Sequence, residues 1–96
     1  MYATMTLFTT KPGMREAMEK LADDLSHVFS GLKGFKSEMF IVDPEVDEYG
    51  GFVVWESKED AEAARETTGS LMQEALSEIV KGPPIRRMFE VYEPKG

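Results

Sequence analysis

The sequence predicts an α+β domain of ferredoxin-like βαββαβ order, and three observations carry that expectation. Short runs of β-branched and aromatic residues alternate with two stretches whose apolar residues recur every three or four positions. Gly- and Pro-containing clusters punctuate the runs. Their order is strand, helix, strand, strand, helix, strand. Such an order makes one four-stranded antiparallel sheet with both helices on one face. A chain of 96 residues is one domain, spanning 1–96.

Residues 2–10 (YATMTLFTT) suit a strand, and Lys11-Pro12-Gly13 breaks it and opens a helix. Between Met14 and Leu32 the apolar residues Met14, Met18, Leu21, Leu25, Val28 and Leu32 draw one helical stripe. Gly31 and Gly34 mark the helix end and the turn. Residues 35–43 form a second strand, 43–50 an acidic turn, and 51–56 (GFVVWE) a third strand, apolar enough to be covered on both faces. Ser57 is an N-cap, with Glu59 and Asp60 at the positive helix end. That helix is expected to run to about Glu66. Thr67-Thr68-Gly69 interrupts it, and Ser70-Leu71-Met72-Gln73 opens a second capped stretch striped by Leu71, Met72, Ala75, Leu76, Ile79 and Val80. Gly82-Pro83-Pro84 stops the helix, and residues 85–93 form the last strand.

Composition narrows the function. With 42% hydrophobic residues the chain can build a core, which argues against disorder. The absence of cysteine excludes disulfides, thiolate metal sites and a Cys nucleophile. A net charge of −7 repels phosphate backbones, so nucleic acid is not an expected partner. No apolar run approaches the ~18 residues of a membrane span, and no signal peptide is visible, so a cytoplasmic location is expected.

Both faces of the sheet carry large apolar side chains. Alternation sets Arg86, Met88, Glu90 and Tyr92 against Ile85, Arg87, Phe89 and Val91 in the last strand, and Phe35, Met39 and Ile41 against Phe40 and Val42 in the second. The helices cover only one face. A second copy of the sheet would cover the other, which makes the chain a homodimer with a barrel closed across two subunits.

With the elements in place, four stretches carry a resemblance: Lys11-Pro12-Gly13, Gly34-Phe35, Trp55-Glu56-Ser57 and Gly82-Pro83-Pro84. In this order and spacing the chain resembles the antibiotic biosynthesis monooxygenase family of dimeric α/β barrels. The resemblance implies a pocket between each sheet and its own helices. It also implies oxidation of aromatic polyketides by O₂ without metal, flavin or haem: the substrate carbanion reduces oxygen, and the protein supplies position and electrostatics. Trp55 matches the tryptophan that lines the active site of actinorhodin-type members. Their pocket asparagine and tyrosine fall on Gly51 and Ala61, departures that remove polar groups and should enlarge the pocket. The haem-degrading branch requires an asparagine, a tryptophan and a histidine where this chain has Thr6, Ala64 and Glu74, so haem degradation is rejected.

Each residue also has a plainer reading. Trp55 suits core packing first and a catalytic part second, with its ring touching the pocket either way. His27, the one histidine, sits on the flank of helix one, where it meets the last carbonyls rather than acting as a base. Tyr2, Tyr49 and Tyr92 suit edge or interface packing. Arg86 and Arg87 point to opposite faces; an ion pair with Glu38, Glu56 or Glu90 is the first expectation, and an anionic ligand the second. The methionines suit a core or an adaptable cavity. The acidic run Asp43, Glu45, Asp47, Glu48 lacks the pattern of a calcium loop, and no phosphate loop or Ser-His-Asp set is present.

The sequence therefore points to a cofactor-independent monooxygenase acting on a small hydrophobic or aromatic molecule. Trp55 is the candidate catalytic residue, and Phe8, Met18, Trp55 and Phe89 are the candidate pocket liners. A non-catalytic ligand-binding barrel and a small-molecule isomerase are the alternatives. Polar groups beside Trp55 would separate the enzyme from the binder.

Overall fold

The computed structural model describes residues 1–95. Strands β1 (Tyr2–Thr10), β2 (Phe35–Asp43), β3 (Glu48–Trp55) and β4 (Val80–Glu90) make one sheet in the order β2-β3-β1-β4. Every pairing is antiparallel. Helices α1 (Arg15–Ser30) and α2 (Lys58–Leu76) fill the two crossovers. The ferredoxin-like expectation is borne out. Among the described residues no helix is long and apolar enough to cross a membrane.

The helices lie over the face carrying Thr4, Thr6 and Phe8 of β1 and Gly51, Val53 and Trp55 of β3. Thr4 stands opposite Val53 and Thr6 opposite Gly51 in register, and Phe8, Val53 and Trp55 share the core with Met18, Leu21, Leu25 and Phe29 from α1. The buried stripe of α1 follows the predicted spacing through Met18, Leu21 and Leu25, but in the last turn Phe29 takes the buried place expected of Val28. On α2 the buried positions are small: Ala61, Ala64 and Thr68 before Leu76. Small side chains let that helix approach the sheet closely, or leave space beneath it.

Several boundaries differ from the sequence reading. Helix α2 is continuous through Thr67-Thr68-Gly69. Both threonines turn their hydroxyls back onto the helix, Thr67 Oγ1 donating to the Ala63 carbonyl and Thr68 Oγ1 to that of Ala64, each at 2.9 Å. A hydroxyl satisfied at i−4 does not compete with the backbone ladder, so no break follows. Strand β4 begins at Val80, before Gly82-Pro83-Pro84, and stops at Glu90 rather than at residue 93. It is an edge strand, where a proline that lacks its N–H leaves no ladder bond unmade. The pairing with β1 slips between Leu7 and Thr9, and the extra residues are taken up there as a bulge. Strand β3 starts at Glu48, so Glu48, Tyr49 and Gly50 belong to it and not to the turn.

A second bulge lies between Phe35 and Ser37 on β2. It resets the alternation, so Phe35 shares the helix-covered face with Phe40 and Val42 instead of joining Met39 and Ile41. The acidic turn behaves as a solvated loop: Asp43 Oδ1 accepts from the Glu45 amide, and Asp47 takes a positive φ of 53°.

The start of α2 is fixed by local chemistry. Ser57 is extended at φ −140°, and its Oγ accepts from the Asp60 amide at 3.1 Å. The Glu56 amide donates to the Gly34 carbonyl at 2.7 Å, tying the turn before β2 to the end of β3. Gly34 has φ +82°, and a Cβ there would fall 2.2 Å from Asp60 Oδ2, so only glycine fits. Beside this joint Lys36 and Glu56 pair at 2.6 Å on the surface. The lysine's hydrogen bond and charge hold Glu56 below the usual carboxylate range, and Glu56 in turn raises Lys36. The Glu56 contribution is thus present above its unfolded-state pKa and lost as pH falls through the depressed folded value.

Ser57→Ala should cost about 1 kcal/mol, lowering Tm by roughly 4–8 °C in a domain of this size, whereas Ser57→Asp should keep the cap; thermal melts of the three proteins decide it. Glu56→Gln should lower Tm slightly at neutral pH, and that difference should shrink on acidification below the usual carboxylate range. A gap that stays constant with pH would rule out the ion pair as its source.

Candidate active site

Trp55 closes β3 and is 1% exposed. Two rings meet it edge-on: Phe29 of α1 at 5.8 Å between centroids and Phe35 of β2 at 5.9 Å. The core-packing reading is borne out in geometry. Yet its indole Nε1 is buried with no hydrogen-bond partner. Buried indole N–H groups usually find an acceptor, and one left unmade costs about 1–3 kcal/mol.

One side of the ring borders a cavity of about 240 Å³ between the sheet and the two helices. Phe8 and Met18 line it as expected, Phe8 lying nearly parallel to Tyr49 at 6.5 Å. Phe89 does not. It stands opposite Ala3 on β1, one step out of phase with Thr4, and so points to the helix-free face. There the Arg87 guanidinium lies 4.7 Å from its ring centroid. The correction follows from strand parity: cavity liners on β4 must be in register with Thr4 and Thr6, which selects Met88 and Arg86. Arg86 is the arginine on the cavity side.

The ion pairs expected of Arg86 and Arg87 are not made. Among the described residues Glu56 pairs with Lys36, and Glu38 accepts from the Ser26 hydroxyl and leaves its second oxygen buried and unpaired. His27 is exposed in the last turn of α1, as the plainer reading held.

Thr4, Thr6, Tyr49, Arg65 and Arg86 are polar liners that the sequence reading did not select. The threonines could have been found from the alternation of Phe8 along β1 once the covered face was known. Ala61 and Ala64 form the α2 wall, and Ala61 is fully buried. Gly51 opens less space than its lack of a side chain suggests: a Cβ there would sit 3.2 Å from the Phe40 ring, which already occupies the site. Of the acidic liners, Glu19 is held at 2.8 Å by Arg15 on the exposed rim. Among the described residues no three His, Cys, Asp or Glu side chains gather as a metal site. The arrangement is a largely apolar chamber lined by the Trp55 ring, with threonine, tyrosine and arginine side chains among its liners.

Trp55→Ala should destabilise the fold by about 3–5 kcal/mol, a large share of what a small domain has. Trp55→Phe should cost far less, because it keeps the edge-on packing and deletes a donor without a partner. Urea unfolding of both variants checks the contrast; equal losses would mean that the indole N–H is bonded in solution.

No protein-family model matches the chain. No curated protein matches it in sequence either. Solved structures do. An antibiotic biosynthesis monooxygenase, provisionally assigned, from Nitrosomonas europaea superposes with a TM-score of 0.83 at 15% identity, over 99% of this chain and 93% of that one. Rv0793 from Mycobacterium tuberculosis gives 0.79 at 18%, over 99% and 98%. SnoaB, a cofactor-independent oxygenase from Streptomyces nogalater, gives 0.78 at 18%, over 97% and 94%. Identities this low speak to fold. The fold of this chain is the fold of these structures.

Proposed function

We propose that the chain is a member of the antibiotic biosynthesis monooxygenase family and acts as a cofactor-independent monooxygenase on a small aromatic or polyketide-like molecule. The observation that carries the reading is an apolar cavity lined by Trp55, whose buried Nε1–H has no hydrogen-bond partner. A substrate oxygen lying against the ring accepts from it. The donor then stabilises negative charge on that oxygen in a site with little water, where such a bond is strongest. An anthrone-type substrate gives up a C–H proton to form its enolate. The enolate reduces O₂; one oxygen atom enters the product as a ketone and the other leaves as water. Among the described residues Glu19 is the one carboxylate in the cavity lining, and it is paired with Arg15, so the protein's part in this reading is positioning and charge stabilisation.

The helix-free face supports a homodimer. Met39 is 61% exposed and Ile85 54%, with Ile41 beside Met39 on β2. Apolar groups grouped on one sheet face mark an interface, and a second sheet of the same kind matches their shape and chemistry. A non-catalytic ligand-binding barrel is the second reading. Gly51 and Ala61 favour it, since neither offers a polar group to a ligand.

Oxygen uptake with an anthrone or a dihydroxynaphthalene should rise above background with the wild type and fall at least tenfold in Trp55→Phe. An isomerase or a binder would consume no oxygen. No protein-dependent uptake across several such substrates would overturn the monooxygenase. Size-exclusion with light scattering should show a dimer that Ile85→Glu converts to monomer or aggregate; a wild-type monomer at micromolar concentration would end the dimer proposal.

A further inference from the structure

The cavity beside Trp55 continues outward. A second, shallower hollow lies between the later turns of α2 and the first residues of β4, bordered by Gln73, Leu76, Val80 and Pro84. The two hollows share four residues: Arg65, Gly69 and Met72 on α2 and Arg86 on β4. These four mark where the inner chamber opens to the surface. A Cβ placed on Gly69 would meet nothing within 4 Å, so the helix wall is bare at that point.

Two arginines face this mouth from opposite walls, and both are exposed. Among the described residues the ion pairs are Arg15–Glu19, Lys20–Asp24 and Lys36–Glu56, and neither Arg65 nor Arg86 takes part. The neighbouring Arg87 lies against Phe89 on the far side of the sheet. Two unpaired guanidinium groups at one opening are a concentrated positive charge in a chain of net charge −7. A guanidinium presents parallel donors that match the two oxygens of a carboxylate.

We infer that the mouth between α2 and β4 binds the carboxylate of an aromatic acid through Arg65 and Arg86, with the ring body seated in the chamber against Trp55. A monoanion fits better than a dianion. The overall negative field and Glu66, which borders the outer hollow, both oppose a second negative charge. The inference rests on the chamber being a ligand site, as proposed above, and names the class of acid it takes; it does not depend on oxygen chemistry.

The test is calorimetric titration of the wild-type protein with 2-naphthoate and with its neutral counterpart 2-naphthamide. The acid should bind about tenfold or more tightly than the amide at low salt. That preference should fall with added salt and vanish in Arg65→Met/Arg86→Met. Each single variant should lose part of it. Affinity for the amide should fall much less than that for the acid in every variant, which shows that the chamber is intact. Equal affinity for acid and amide would overturn the carboxylate site while leaving the chamber as a ligand site. Binding of neither probe would overturn both. A preference that survives the double variant, or tighter binding of 2-naphthyl phosphate than of 2-naphthoate, would also overturn the inference.

Discussion

The fold depends on one wedge. Trp55 ends β3, and its indole is held between Phe29 of α1 and Phe35 of β2 while the chain turns at once into α2 through the Ser57 cap. Four elements are therefore fixed by one side chain and the two residues after it. Rigid aromatic packing keeps the ring in a single orientation, and the backbone bond from Glu56 to Gly34 locks the same corner from the surface side. A large aromatic buried to 1% exposure supplies a sizeable part of the apolar burial of so small a core. The cavity borders this wedge, so the residue that stabilises the fold is also the one on which the proposed function draws.

That coupling explains how a 96-residue chain can hold an open chamber. Small domains bury only about 60–65% of their extended surface and have little stability to spare. Here the α2 wall is built from Ala61, Ala64 and Thr68, which approach the sheet without filling the space, while the dense aromatic packing is concentrated at the other end around Trp55. The helix-free face carries Met39, Ile41 and Ile85, apolar area that a single copy leaves in water. A core this thin and a face this apolar are two aspects of one shortage: the chain has more hydrophobic surface than one sheet and two helices can cover.

Charge is distributed with the same economy. The acidic excess lies on exposed helix faces and in the turn around Asp47, where solvent screens it. On the chamber's exposed rim Glu19 pairs with Arg15, and Thr4, Thr6, Tyr49, Arg65 and Arg86 are among the other polar side chains that line it. An apolar room with few, well-placed polar groups favours a flat hydrophobic guest and makes each hydrogen bond to it count for more than it would in water.

Element type and order were legible in the sequence because period and punctuation are local. The stripe from Met14 to Leu32, the alternation of residues 2–10 and the Ser57 cap each depend on residues a few positions apart, and so did the sheet with its helices and the place of Trp55 at its edge. What the local pattern could not supply was context. Thr67-Thr68-Gly69 resembles a break, and only the helix built around it lets the hydroxyls bond backward; Gly82-Pro83-Pro84 resembles a stop, and only an edge position lets it stand in a strand. Phe89 was misplaced and Arg86 left undecided for one reason. A strand's two faces are equivalent in sequence until a neighbouring strand fixes the register, and the bulges near Phe8 and Lys36 shift that register without a sequence mark. Thus the sequence by itself determined which segments fold and in what order, since those choices are made over a few residues. The tertiary structure alone decided which side chains meet in the chamber, because that depends on pairings between residues far apart in the chain.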